Sequence, residues 1–348
     1  MRMWMTTRTL LDLTIEEVAC KSGVLLADHD VRSLLAGTPM EEWSTVFDRP
    51  PDFESGVRPE FIEDLVRVLR AGVGNLPDAT PGGILSMRRL KRLIDSGTDL
   101  GPIIKAFEEW TENTKSKVLG EEAVREVAKM ANAPLESVIE VCLAFADQMD
   151  RSLALLGAQP SEWDGVLPLS ELFDVEAVPN SAEAYLDQRY IDYLAAQGEQ
   201  LSKIHWRNFE RLTAEFFKRA GYEVRLGPGS KDGGVDVRVW PAGSGSVGPP
   251  LLLIQCKRYR AGELVELSYV KALWTDVHFE GAAGGLIATT ARVSPEGKRV
   301  SHARKYSLSF AESESVKGWT KTMWRHSWDT TNHRSVGVGT YMLPPIVP

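Results

Sequence analysis

The sequence contains two apolar runs joined by a connection rich in Gly, Pro and Ser. Each run carries polar side chains, which are stable inside a buried sheet only when they have bonding partners. The runs, residues 235–240 and 251–259, have the length and aliphatic content of strands. Side chains alternate faces along a strand, so Gln255 and Lys257 share one face of the second run while Asp236 projects from the first. An unpartnered buried charge is costly. The pattern therefore predicts that a carboxylate, an amide and an amine meet one another, a metal ion and a substrate.

The same alternation assigns the residues around this polar set. It directs Val235, Val237 and Val239 to the face opposite Asp236. It also directs Cys256 away from the site, as a small buried hydrophobe. Apart from the polar set, both runs are thus expected to be buried.

Four sequence blocks in the C-terminal half follow one order. They are FERLTAEFFKRAGYEV (209–224), GSKDGGVDV (229–237), LLIQCKRY (252–259) and GGLIATTARVSPEGKRVSHA (284–303). In this order they resemble the catalytic core of the Mrr-like type IV restriction endonucleases, within the PD-(D/E)XK nuclease superfamily. The resemblance covers residues 203–310 and implies an α/β fold, with a central mixed sheet flanked by helices.

The resemblance also implies a site and a reaction. It implies DNA as the substrate, Mg²⁺ or Mn²⁺ as the cofactor, and Asp236, Gln255, Lys257 and Glu210 as the catalytic set. Asp236, Gln255 and Glu210 would be the metal ligands, because Mg²⁺ prefers oxygen ligands and keeps several waters. Many superfamily members carry an acid where this chain has Gln255, but the Mrr-like proteins typically have Gln there. Lys257 would polarise the attacking water or stabilise charge on the phosphate.

Two glutamates of the helix predicted at 209–219 compete for the role of metal ligand. The buried stripe of this helix is marked by Phe209, Leu212 and Phe216. Glu210 and Glu215 flank the stripe on opposite sides, so helical geometry does not choose between them. The Phe-Glu pair of the resemblance favours Glu210, and for Glu215 the alternative is a solvated surface charge.

A Gly-rich turn and a basic helix complete the candidate residues. Asp232 orients the turn, approaches the metal, or simply supports a glycine with positive φ; the last is the usual role of an aspartate in such a turn. The turn lacks the Gly-Lys-Ser/Thr end of a phosphate-binding P-loop, which excludes ATP binding there. Four basic residues follow the helix start at Ser294 and are candidates for contacts to the DNA backbone, although each singly is more often a solvated charge: Lys298, Arg299, Arg304 and Lys305.

Charge is divided unevenly along the 348 residues, whose net charge is -8. Residues 203–348 hold 21 Lys and Arg against 13 Asp and Glu, a net of +8, and residues 1–202 hold 19 against 35, a net of -16. A basic half attracts phosphate backbones, and an acidic half repels them. This split predicts DNA binding by the C-terminal half and a protein-facing role for the N-terminal half, through autoinhibition or a protein partner. It leaves assembly into a homo-oligomer open.

The length predicts two to three domains. We expect an acidic all-α region at 1–156, a linker and connecting helix at 157–202, and the nuclease domain at 203–348.

Two segments of the first region, 14–37 and 125–145, have the spacing of helix-turn-helix units. Thr14 is the predicted cap of the first unit, because Glu17 follows three residues later. Ordinary helical hairpins are the favoured interpretation of both segments, because the helix-turn-helix pattern is short and degenerate.

Cysteine usage and apolar runs exclude other protein classes. The three cysteines, Cys20, Cys142 and Cys256, are far apart and odd in number, which favours neither a disulfide framework nor a zinc site. A reducing cytoplasm is the expected compartment. The sequence has no apolar run of the ~18 residues that a membrane-spanning helix needs and no secretory signal at its start.

The resemblance to Mrr-like endonucleases thus implies a metal-dependent DNA endonuclease of bacterial restriction or anti-phage defence, and the charge split is consistent with it. Two alternatives come from other classes: a DNA-binding regulator with an inert nuclease fold, and an adaptor subunit of a defence complex. The intact set of Asp236, Gln255 and Lys257 favours the nuclease over both alternatives.

Overall fold

The structure is a computed structural model in two compact units. It describes residues 2–76, 82–113, 121–155, 165–229, 234–260 and 262–324. The units divide between Pro168 and Leu169. The second unit therefore begins well before the boundary predicted at 203. The reason is that the segment 169–202 buries its own apolar side chains, such as Leu172 and Tyr190, within that unit.

The first unit is mainly helical. Its helices are α1 (Thr7–Ser22), α2 (Asp28–Leu35), α3 (Glu42–Phe47), α4 (Pro59–Gly72), α5 (Gly82–Asp95), α6 (Gly101–Asn113), α7 (Glu121–Ala131) and α8 (Leu135–Leu155). Four short strands, β1 (Met3–Thr6), β2 (Val24–Leu25), β3 (Glu54–Val57) and β4 (Leu167–Pro168), pair as β1 with β3 and β2 with β4. The first unit is thus helical as expected, apart from these four strands, which are too short to leave a periodic signal in the sequence.

Both candidate helix-turn-helix segments are pairs of helices around a residue with positive φ. Gly23 follows α1 with φ 70°, and Asn132 follows α7 with φ 49°. Thr14 is not a cap, because α1 begins at Thr7 and the Thr14 hydroxyl donates to the Leu10 carbonyl within the helix. Asn132 and Gly23 occupy the turn positions that the spacing predicted.

The second unit is built on a mixed five-stranded sheet in the order β11-β9-β7-β6-β5. Its strands are β5 (Glu223–Leu226), β6 (Val237–Trp240), β7 (Leu252–Lys257), β9 (Gly284–Thr289) and β11 (Leu308–Ala311). β5, β6 and β7 are antiparallel neighbours, whereas β7, β9 and β11 run parallel. A small parallel pair, β8 (Leu264–Val265) and β10 (Arg292–Val293), lies outside this sheet. The predicted central mixed sheet is confirmed.

Helices cover both faces of the sheet. They are α9 (Glu171–Asp174), α10 (Gln188–Ala196), α11 (Trp206–Arg219), α12 (Leu267–Phe279), α13 (Pro295–Ala303) and α14 (Ser313–Met323). On one face, α12 packs against the sheet through a buried apolar cluster, which consists of Val235, Leu253, Val265, Val270, Leu273, Val277, Ile287 and Val293. The other face is covered by α11, where Phe216 stacks on Trp319 of α14 at 4.6 Å. No described helix is long and apolar enough to span a membrane.

A fragment that begins at Leu169 should fold, whereas one that begins at Lys203 should be strongly destabilised. The shorter fragment lacks α10, which buries Tyr190, Ile191 and Leu194. Each such side chain contributes about 1.5–3 kcal/mol on burial, against a total stability of about 5–15 kcal/mol for a domain. Thermal unfolding of both fragments, each ending at residue 348, tests this. Equal melting temperatures would show that residues 169–202 are dispensable.

Candidate active site

Asp236 is fixed just before β6, where the chain leaves the regular ladder. Its N–H donates to the Ile254 carbonyl at 2.9 Å, although the ladder pairs Ile254 with Val237. Asp236 and Val237 therefore both lie opposite Ile254, and two residues opposite one is the pattern of a β-bulge. The Asp236 side chain is buried, and its Oδ2 accepts the N–H of Cys256 at 2.6 Å. The carboxylate is thereby held against the backbone of β7.

The bulge reverses the faces of the residues that precede it. Val235 packs with Leu253 in the cluster under α12, and Arg238 is the ladder partner of Leu253. Val235 thus shares the face of Arg238 and not that of Val237 and Val239. The prediction that all three valines share one face is wrong, because strict alternation holds only where no extra residue is inserted.

Gln255 places an unsatisfied oxygen in the interior. Its side chain is 3% exposed, and its Nε2 donates to the Gly234 carbonyl at 3.0 Å. Its Oε1 has no hydrogen-bond partner among the described residues. Buried polar atoms are nearly always paired, so this oxygen is available to bind a cation or a water. Gly234 has φ 92°, and a Cβ there would lie 2.9 Å from Gln255 Nε2.

Lys257 ends β7 on the same face as Gln255. Its Nζ lies 4.4 Å from the centroid of the Tyr269 ring, on α12. The backbone of Lys257 is hydrogen-bonded to the end of β9, where the Thr289 hydroxyl donates to the Lys257 carbonyl at 2.7 Å. The Thr290 hydroxyl also accepts the N–H of Tyr259 at 2.8 Å and donates to its carbonyl at 2.7 Å.

Glu210 belongs to a buried network at the start of α11. Its Oε2 accepts from Arg207 Nη1 at 2.6 Å. Arg207 also donates to the Gly227 carbonyl at 2.7 Å and to Glu176 Oε1 at 3.2 Å. Burial lowers the pKa of Arg207, but the bonds with Glu210 and Glu176 outweigh burial and raise it above its usual value. The network joins α11 to the turn that leads to Asp236.

Cys256 connects the strand pair with α11. Its thiol is buried, 3.5 Å from the Thr213 hydroxyl. Burial, and after it the Asp236 carboxylate, raise the pKa of this thiol well above its usual value; the hydrogen bond with Thr213 opposes them, and Glu210 adds a smaller increase. Both carboxylates therefore act on one sulfur. Cys256 is buried as predicted, and it faces α11 whereas Lys257 faces Tyr269 of α12, as the alternation of side chains predicts. Glu210 stands on the helix that Cys256 faces.

Comparison with known proteins finds a family match for one segment of the chain. Residues 201–314 match the family model described as restriction endonuclease, of the Mrr catalytic type. This segment is an Mrr-like restriction endonuclease domain. An uncharacterized protein of Sinorhizobium fredii, y4cE, is 28% identical over 153 residues, which cover 44% of this chain and 39% of that protein.

Among solved structures, the complex of the MspJI restriction endonuclease with a 27-mer oligonucleotide matches 62% of this chain and 50% of its own, at 16% identity and a TM-score of 0.31. This chain thus spans half or less of each of these two relatives. A TM-score this low establishes no common arrangement of the two chains.

Within the restriction endonuclease domain, Glu215 does not share the surroundings of Glu210. Its Oε2 accepts the Tyr185 N–H at 2.7 Å, and its Oε1 accepts from Arg219 at 2.7 Å. Arg219 Nη1 also donates a hydrogen bond to Gln188 Oε1 at 2.6 Å. Glu215 is 4% exposed, so the alternative of a solvated surface charge is wrong. Its contacts tie α11 to the segment before α10.

The restriction endonuclease domain offers oxygen donors that suit Mg²⁺ or Mn²⁺. Over the described residues, no group of three or more His, Cys, Asp and Glu side chains is arranged to hold a metal ion. Mg²⁺ nevertheless needs only one or two carboxylates, because it keeps several waters. The Asp236 carboxylate and the unsatisfied Oε1 of Gln255 fit that requirement. Asp232 lies outside the described residues.

The glutamate assignment can be tested by titrating the metal. We expect Glu210→Gln to raise the Mg²⁺ concentration for half-maximal DNA cleavage by about 10-fold, since a negative charge near the ion is removed. Glu215→Gln is the matched control: it should keep the wild-type Mg²⁺ requirement and lower the melting temperature, because Glu215 holds Tyr185 and Arg219. The reverse pattern would transfer the role to Glu215.

The four basic candidates for DNA contact are all exposed at or after α13, whose N-cap Ser294 accepts the Gly297 N–H at 3.2 Å. Lys298 is already paired with Glu312 at 2.7 Å. Arg304 donates to the Tyr306 hydroxyl at 3.2 Å. Arg299 lies 3.9 Å from Glu296, and Lys305 takes φ 52° just after the helix. Lys298 is therefore the least available of the four.

Sequence reasoning missed three groups of this site. Arg207 had a signal, because it precedes Glu210 by the three residues that pair side chains on a helix. Tyr269 and the Thr289–Thr290 pair had none, because their roles depend on which strand end and helix turn come together in the folded domain.

Proposed function

We propose that the second unit hydrolyses phosphodiester bonds of DNA in a reaction that requires Mg²⁺ or Mn²⁺, and that it serves bacterial restriction or anti-phage defence. The match of residues 201–314 to restriction endonucleases supports the reaction class. The observation that carries the site assignment is the buried Gln255 Oε1, which lacks a partner among the described residues. It lies on the strand whose Cys256 N–H binds the Asp236 carboxylate.

Each side chain of the candidate site has its own role in this proposed reaction. Asp236 and Gln255 supply oxygen ligands, and Glu210 adds negative charge from α11. The metal ion, when bound, would neutralise charge that develops on the phosphate and make water a better nucleophile. Lys257 carries three N–H donors and no acceptor, so it stabilises a phosphate oxygen or orients the attacking water. The bonds to Cys256 and Gly234 hold Asp236 and Gln255 in place before substrate arrives.

Basic residues at and after α13 provide the proposed contacts to the DNA backbone. We assign these contacts to Arg299, Arg304 and Lys305, with a smaller contribution from Lys298 because of its pairing with Glu312. The acidic first unit is assigned a protein-facing role, through autoinhibition or a partner protein. The uneven charge of the two halves supports both assignments.

Cleavage of supercoiled plasmid by the purified full-length chain tests the reaction. We expect nicked and linear products with Mg²⁺ or Mn²⁺ and intact plasmid with excess EDTA. Parallel assays on single-stranded DNA and RNA define the substrate. Intact nucleic acid under every metal condition would contradict the proposal. Phage plating on bacteria that express the wild type or Asp236→Asn tests the defence role separately.

A further inference from the structure

We propose that Tyr269 positions the ammonium group of Lys257 through the face of its aromatic ring. This inference rests on the proposed nuclease function, in which Lys257 acts on the phosphate or the water. Lys257 Nζ lies 4.4 Å from the ring centroid, within the range of cation–π attraction. Tyr269 is thus a positioning residue, which acts on the substrate only through Lys257.

The surroundings of Lys257 make the ring its main restraint. Its backbone is fixed by Thr289, but the four-carbon side chain remains flexible. Within the part of the chain that the structure describes, Lys257 Nζ is in no salt bridge and donates no side-chain hydrogen bond. A carboxylate in the place of the ring would compete with the phosphate for the N–H donors. An aromatic face attracts the cation and leaves those donors directed at the substrate.

The ring itself is held by the fold. Tyr269 stands in the first turn of α12, where its N–H donates to the Glu266 carbonyl at 3.2 Å. The next residue, Val270, is fully buried in the cluster under α12. Tyr269 itself packs against this cluster, and so does Tyr259, whose backbone N–H and carbonyl are both bonded to the Thr290 hydroxyl. The position of the ring is therefore set before substrate binds.

The test compares single-turnover cleavage rates of full-length variants. Tyr269→Phe keeps the ring and should cleave within about 3-fold of wild type. Tyr269→Leu should cleave about 5- to 30-fold more slowly, the loss that corresponds to a cation–π contact. Its affinity for DNA and its half-saturating Mg²⁺ concentration should be unchanged. A matched control is Trp274→Leu, which removes another aromatic ring of α12 that packs on the same cluster. It should keep the wild-type rate.

Two further variants separate positioning from folding. Pentafluorophenylalanine at position 269 keeps the shape of the ring but reverses the charge distribution of its face, so its rate should match that of Tyr269→Leu. In a Lys257→Ala background, Tyr269→Leu should cause no additional loss, because the two residues act as one unit.

Each alternative outcome has a distinct meaning. Equal rates for wild type, Tyr269→Leu and the fluorinated variant would overturn the inference while leaving the nuclease function intact. A full loss in Tyr269→Phe would overturn it as well, since the hydroxyl and not the ring would then be required. Absence of cleavage by the wild type would instead contradict the proposed function.

Discussion

Asp236→Asn and Lys257→Ala should each reduce Mg²⁺-dependent plasmid cleavage by at least about 1000-fold, with the fold retained. Asparagine keeps the oxygen that accepts the Cys256 N–H and removes only the negative charge, so the loss reports the role of the carboxylate. Lys257→Ala removes the ammonium near Tyr269 and leaves the backbone contact with Thr289. Initial rates of conversion to nicked and linear DNA measure both effects.

A matched substitution outside the site controls for the change of side chain. Asp276→Asn alters a carboxylate of α12 and should keep the wild-type rate. Circular dichroism and thermal unfolding must show that every variant is folded. Full activity of either Asp236→Asn or Lys257→Ala would remove that residue from the site.

Gly234→Ala should abolish cleavage and destabilise the second unit by about 1–3 kcal/mol. The residue has φ 92°, and the added Cβ would lie 2.9 Å from Gln255 Nε2. The methyl group would therefore displace the Gln255 amide or the chain before Asp236. Denaturant unfolding and plasmid cleavage measure the two effects independently.

Gly243→Ala separates backbone strain from the clash with Gln255. Gly243 has φ 76° in the loop between β6 and β7, and a Cβ there meets nothing within 4 Å. This variant should lose about 1 kcal/mol of stability and keep its activity. If Gly234→Ala behaves like Gly243→Ala, the contact with Gln255 does not matter for catalysis.

Local sequence signals were sufficient for the two strands that carry the candidate site. The spacing of Gln255 and Lys257 alone predicts a shared face, and the turn rich in glycine predicts a break before the run at residues 235–240. These features depend on neighbouring residues, whereas the mixed sheet and its flanking helices were implied by the resemblance to Mrr-like endonucleases. The bulge at Asp236 could not be predicted from the sequence, because it arises from the backbone hydrogen bond to Ile254 on another strand.

Long-range packing accounts for the other differences. Glu215 looked like a surface charge because its helix position says nothing about Tyr185, which lies 30 residues earlier and covers it. The second unit begins at Leu169, before the nuclease boundary predicted at 203, and the sequence gives no sign of this because the Pro- and acid-rich segment before α10 resembles a linker. The burial of this segment depends on the packing of α10 against α14, which lies far away in the sequence. Glu176 in this segment contacts Arg207, which in turn contacts Glu210.

The two buried cysteines fall in different units: Cys142 lies in the helical core of the first, and Cys256 lies beneath α11 in the second. Burial raises the pKa of both thiols, that of Cys142 to about 11, so alkylating reagents react with them only when the surrounding structure opens. Their labelling rates therefore give two separate opening free energies from one unmodified chain. Cys256 reports on the packing around Asp236 and Glu210, and Cys142 reports on the first unit.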